Sequence, residues 1–106
     1  MAWISLVFAG LLEVVWAFFM KQSDGFSKLA PTVITFATMF ASFALLSYSM
    51  KSLPLGTAYT VWTGIGAVGA FAVGVAVLGE ALTPLRMTAA ILIVTGLVLM
   101  KLASPS

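Results

Sequence analysis

The chain of 106 residues is 62% hydrophobic and 8% charged, with mean hydropathy +1.18, which leaves too little charge to cover the surface of a water-soluble domain. Its net charge of +2 is small and dispersed, which argues against nucleic-acid binding. It has no Cys and no His, so disulfides, thiolate chemistry, the commonest metal ligand and the usual proton shuttle are all missing, and no metal or cofactor is expected.

An apolar helix needs roughly 20 residues to cross the hydrocarbon core, so the chain has room for about four or five spans and little else. The first apolar run is Ala2 to Met20, interrupted only by Glu13. No basic residue precedes it and no small-residue cleavage pattern follows it, so it reads as a span and not as a signal peptide. Lys21 to Lys28 is a polar turn with a Gly at 25. The second run is Leu29 to Met50, with Pro31 in its first turn, where a missing N–H is tolerated. Pro54 and Gly56 close the next connection, and the third run is Thr57 to Gly79. Glu80 to Arg86 is a short turn containing Pro84, Met87 to Met100 is the fourth run, and Lys101 to Ser106 is a polar tail.

Lipid offers the backbone no partners, so each run is expected to be a helix; the ten-residue alternation of a membrane barrel is absent. The expectation is an all-α integral membrane protein: one domain over 1–106, with transmembrane helices at about 2–20, 29–50, 57–79 and 85–101. Short connections make neighbouring helices antiparallel. Four helices put both termini on one side, with Lys51 and Lys101; Lys21, Lys28 and Arg86 share the other. Three basic residues against two is a feeble bias. It fits either a weakly oriented protein or one inserted both ways, and a C-terminal topology reporter separates the two.

Glu13 is the one acidic residue deep inside an apolar run. A carboxylate there is costly and marks an ion or proton pathway, or else a neutral acid bonded to a neighbouring helix. Gly10, Glu13 and Ala17 share a helix face, and Trp16 sits a turn away with an indole N–H to donate to the carboxylate. Trp3, at the helix start, is expected to anchor at the interface. On the third helix Tyr59, Trp62, Gly66 and Gly69 fall at i, i+3, i+7 and i+10. Aromatic faces attract organic cations, whereas a glycine-rich packing seam explains the same pattern equally well. Ser42 on the second helix supplies a hydroxyl that either faces a site or bonds its own backbone. Glu80 near Arg86 is a helix-end pair of small value. One such carboxylate in a chain this short makes a thin pore wall, so an oligomer, most simply a dimer, is expected.

Three stretches carry a resemblance over the whole length: Gly10-Leu11-Leu12-Glu13-Val14-Val15-Trp16-Ala17, the Gly25-Phe26 turn, and Pro54-Leu55-Gly56-Thr57-Ala58-Tyr59-Thr60-Val61-Trp62-Thr63-Gly64-Ile65-Gly66. They resemble the small multidrug resistance family, and specifically its guanidinium exporters. The family's exporters of polyaromatic cations usually have Ser where Thr63 stands. The resemblance implies an antiparallel, dual-topology homodimer in a bacterial inner membrane. Glu13 of both copies would line one site, binding either protons or a guanidinium-type cation. Gly10 would leave space beside the carboxylate, Trp16 and Ser42 would hold it, and Tyr59 and Trp62 would flank the substrate. Gly64, Gly66 and Gly69 would let the third helix bend, and Gly96 would lie in the dimer contact of the fourth.

The expected activity is therefore proton-coupled antiport of guanidinium, alkylguanidines or biguanides, not enzymatic chemistry. The competing expectations are a broad exporter of quaternary ammonium or aromatic cations, and a small structural or regulatory membrane subunit without transport of its own.

Overall fold

The computed structural model describes residues 2–103, and Met1 and Ser104 to Ser106 lie outside them. Four helices follow one another: α1 (Ala2–Gln22), α2 (Leu29–Ser49), α3 (Leu55–Ala76) and α4 (Pro84–Ala103). All four are long and apolar enough to cross a membrane. At ~1.5 Å per residue each is about 30 Å long, which matches the hydrocarbon core. Of the polar tail expected from Lys101 onward, Lys101, Leu102 and Ala103 continue α4; the remainder lies outside the described residues.

Local chemistry sets the ends. Pro54 is the N-cap of α3: its φ of −61° is fixed by its ring, its backbone is extended, and its carbonyl accepts the Ala58 N–H at 3.0 Å. The same helix stops where Gly79 takes φ +72° and the Glu80 N–H folds back to the Gly74 carbonyl at 3.0 Å. The α1–α2 connection is tighter than a solvated turn. Asp24, Gly25 and Phe26 all have positive φ, at 52°, 69° and 66°. The fully buried Ser23 fastens them: its hydroxyl donates to the Met20 carbonyl at 2.6 Å and accepts the Phe26 N–H at 3.0 Å. Phe26 then stacks on Phe36 of α2, ring centres 5.5 Å apart.

α1 is the central element and packs against both α2 and α3, which touch each other little; α4 packs along α3 and reaches α1 where Lys101 lies over Trp3. The buried core is small: Leu6 and Ala9 of α1, Leu46 of α2, Leu53, and Ala58, Val61 and Trp62 of α3. No residue of α4 is buried. Lipid tails are as apolar as leucine, so exposed leucines cost nothing there; close packing and interhelical hydrogen bonds hold such a bundle together. The molecule is a slab of 43 × 34 × 16 Å. Its thin dimension is little more than one helix diameter of about 10–12 Å, too thin for one copy to enclose a site on all sides. Lys101 lies 4.5 Å from the ring centre of Trp3, which places the first and last turns of the described chain at one end of the slab.

Candidate functional site

Glu13 stands in the middle of α1, half-buried, and leans on α3. The carboxylate occupies the space a side chain at Gly66 would need: any methyl there would overlap it. Its Oε1 is buried without a hydrogen-bond partner, and so is Nε1 of Trp16 one turn further along α1. The sequence suggests that these two bond each other; in the folded chain each is left open. A buried polar atom without a partner costs about 1–3 kcal/mol, so two on one face mark a place arranged for something other than its own packing.

Ser42 behaves differently from its expected role as a support for the carboxylate. It is fully buried, donates to the Ala9 carbonyl of α1 at 2.6 Å, and accepts the Trp62 Nε1 proton at 3.0 Å. One hydroxyl thus ties three helices and fixes the plane of the Trp62 indole. Aromatic rings continue from there. Trp62 meets Tyr59 at 5.6 Å and Phe43 at 5.8 Å, and Phe43 meets Trp16 at 6.4 Å, edge to face. Phe43, which sequence reasoning passed over, is the link between the two tryptophans. Its signal was adjacency to Ser42, and a lone aromatic in an apolar run gives no further hint. Glu13, Trp16, Ser42, Tyr59 and Trp62 therefore come together on α1, α2 and α3, around an arc of indole, phenyl and phenol rings.

The glycines of the seam act as seats for neighbouring side chains. A methyl at Gly10 would stand 2.6 Å from Ile65, so Ile65 fills the space beside Gly10. A methyl at Gly64 would stand 2.5 Å from Leu97 of α4, and one at Gly69 would overlap Val14. α3 runs as one uninterrupted helix through Gly64, Gly66 and Gly69. Gly96 has nothing within 4 Å of where its side chain would be, and faces away from the rest of the chain.

The sequence profile of a family described as Small Multidrug Resistance protein matches residues 1–94. Among curated relatives, the "Guanidinium exporter" of Escherichia coli (strain K12) is 57% identical over 104 residues, covering 98% of this chain and 99% of the relative. The "Guanidinium exporter" of Yersinia pseudotuberculosis serotype I (strain IP32953) is likewise 57% identical, over 98% of this chain and all of the relative. That of Citrobacter freundii is 53% identical over the same share of this chain.

Proposed function

Since the chain belongs to the small multidrug resistance family, as a multi-pass transporter of the bacterial inner membrane, we propose that it exports guanidinium or substituted guanidinium cations in exchange for protons, with Glu13 of two copies holding one or the other. The observation that carries this reading is the Glu13 carboxylate, seated on Gly66 with Oε1 unpartnered beside the equally unpartnered Trp16 N–H. A guanidinium meets a carboxylate through two parallel N–H bonds, and its planar faces stack on aromatic rings. Protonation of Glu13 removes the charge that holds the cation and releases it; deprotonation on the far side resets the site. Coupling follows because proton and cation compete for the same oxygen atoms.

The second copy is inserted in the opposite sense and supplies the missing wall. The thin slab, the α4 face without a buried residue and the open surface at Gly96 support this, as does the near-balance of basic residues between the two ends. Tyr59 and Trp62 flank the cation, Trp16 donates to the carboxylate once the second copy closes the site, and Ser42 acts by holding Trp62. The glycines of α3 provide the freedom for that helix to bend during alternating access.

The test is current from purified protein in proteoliposomes on a supported membrane, challenged with guanidinium, methylguanidine, a biguanide and a tetraalkylammonium. Currents with the N–H-bearing cations, absent in Glu13→Gln, are expected. Current with the tetraalkylammonium alone would transfer the protein to the multidrug exporters; the ring arc of Trp16, Phe43, Trp62 and Tyr59 is the feature that favours that second reading. Silence from folded, dimeric protein would leave only a subunit without transport of its own.

A further inference from the structure

An apolar cleft of about 450 Å³ opens between α3 and α4. Val68, Phe71 and Val75 line it from α3, and Met87, Ile91 and Thr95 from α4. It holds no charged residue, and its one hydroxyl, on Thr95, has given its proton to the Ile91 carbonyl at 2.8 Å. A cation would meet no carboxylate there and water almost no partner, so the cleft suits hydrocarbon. Val75 stands one residue before the end of α3, and Met87 lies in the first turn of α4, so the cleft begins at the membrane surface. From Met87 to Thr95 it runs about 12 Å at ~1.5 Å per residue, close to half of a hydrocarbon core of about 30 Å. Its depth is therefore that of one leaflet.

The cleft also has a definite outlook. Met87 and Gly96 are about two and a half turns apart at about 3.6 residues per turn, so they face opposite ways on α4. A second copy seated on the open surface at Gly96 leaves the cleft to the lipid. Two charges stand at its surface end. The Arg86 guanidinium lies 4.9 Å from the ring centre of Phe71, a cleft residue, and Arg86 lines a hollow of about 140 Å³ that shares Val68, Phe71 and Ala90 with the cleft. Its Nη2 donates to Glu80 Oε1 at 3.2 Å and its Nη1 to the Ala81 carbonyl, and a guanidinium has more donors than these bonds use. The pair stays open to the surface, with 39% of the Arg86 and 45% of the Glu80 side chain accessible.

We propose that the α3–α4 cleft seats one acyl chain of a phospholipid from the leaflet at this end, with the lipid's phosphate on Arg86 and an ammonium headgroup on Glu80. Lipid tails are as apolar as the cleft walls, so the chain alone gives little preference for one lipid over another. Selection falls to the headgroup. A zwitterionic lipid answers both members of the Arg86–Glu80 pair. A phosphate under an uncharged head answers Arg86 alone and sets a negative lipid against the Glu80 carboxylate. Exposed charge pairs are weak, so the lipid exchanges and the preference is about two- to fivefold. Nothing in this arrangement depends on what the protein transports.

The chain has no Cys, so single thiols can be placed without background. A thiol-linked benzophenone is attached to Ile91→Cys, in the cleft, or to Leu92→Cys, where the native side chain is 65% exposed and lies outside it. The protein is reconstituted in equimolar phosphatidylethanolamine and phosphatidylglycerol and irradiated, and its adducts are weighed by mass spectrometry. Phosphatidylethanolamine adducts are expected to be enriched about two- to fivefold at position 91 over position 92, and Glu80→Gln is expected to abolish the enrichment. Equal ratios at the two positions overturn the headgroup assignment, and adducts to a second copy at position 91 overturn the lipid as occupant. Because the probe fills part of the cleft, unmodified protein is also weighed intact from the same mixture. Phosphatidylethanolamine is expected to be retained, and to be lost in Ile91→Trp, whose ring fills the cleft. As much lipid on Ile91→Trp as on the native chain overturns the acyl seat.

Discussion

The Ser42 hydroxyl joins α1, α2 and α3 through two bonds that no pattern of neighbouring residues announces: its partners are Ala9 and Trp62, one on each flanking helix. Ser42→Ala removes the acceptor for the Trp62 N–H and is expected to cost about 1–2 kcal/mol, the scale found for hydrogen bonds between membrane helices. Reversible unfolding in detergent measures it, and a double-mutant cycle with Trp62→Phe should show most of the loss shared between the two changes. Gly66→Ala tests a different relation. A methyl there displaces the Glu13 carboxylate, so if Glu13 holds the cation as proposed, guanidinium binding should weaken by about tenfold, since the displacement removes a bidentate charge-assisted pair. Gly64→Ala is the comparison: it presses on Leu97 and should lower stability while sparing affinity. Glu13 stands out in the sequence because a lone carboxylate in an apolar run has few explanations. Gly66 was legible only as a glycine on a shared face, because a glycine does not disclose which neighbour occupies its space. The expected Trp16–Glu13 bond failed for a related reason: two residues one turn apart share a face, but the lean of each side chain is set by the helix opposite.

At the scale of elements, the four helices were readable almost without ambiguity, and their ends were not. Apolar run length says that a span exists, whereas its end depends on single bonds. α3 begins at Leu55 because Pro54 already has the φ of a helix entry, and it ends at Ala76 although the expected run continues to Gly79. The α1–α2 connection hides most. Its composition suggests a flexible polar turn, but Ser23 is fully buried and organises three residues with positive φ, including an aromatic one. A bulky residue in that region costs of order 1–3 kcal/mol unless its surroundings impose it. Ser23→Ala removes the acceptor of the Phe26 N–H and should loosen the hairpin. Faster amide hydrogen exchange at Phe26, Ser27 and Lys28, with α3 and α4 unchanged, is the expected result.

At the scale of the whole molecule, the chain is a slab 16 Å thick, and on the reading proposed above it supplies half of a site. Lys51 and Lys101 lie at the end that holds the first and last turns, against Lys21, Lys28 and Arg86 at the other. If the two insertions coexist, Lys51→Gln should tip the balance: the end with three basic residues becomes cytoplasmic and a C-terminal reporter moves to the far side of the membrane. A reporter on one side only, before and after the change, would refute insertion in both senses. The overall shape follows from facts that sequence carries poorly, namely which helix packs on which. α4 packs along α3 alone for most of its length and has no buried residue, and this bears on biosynthesis. The ribosome delivers α1, α2 and α3 before α4, and those three with the α2–α3 connection already contain the buried core residues. Folding of the body need not wait for the last helix, which adds no buried residue of its own. A defect in α4 should therefore escape quality control that senses unfolded chains and, if two copies pair as proposed, surface as a failure to find a mate.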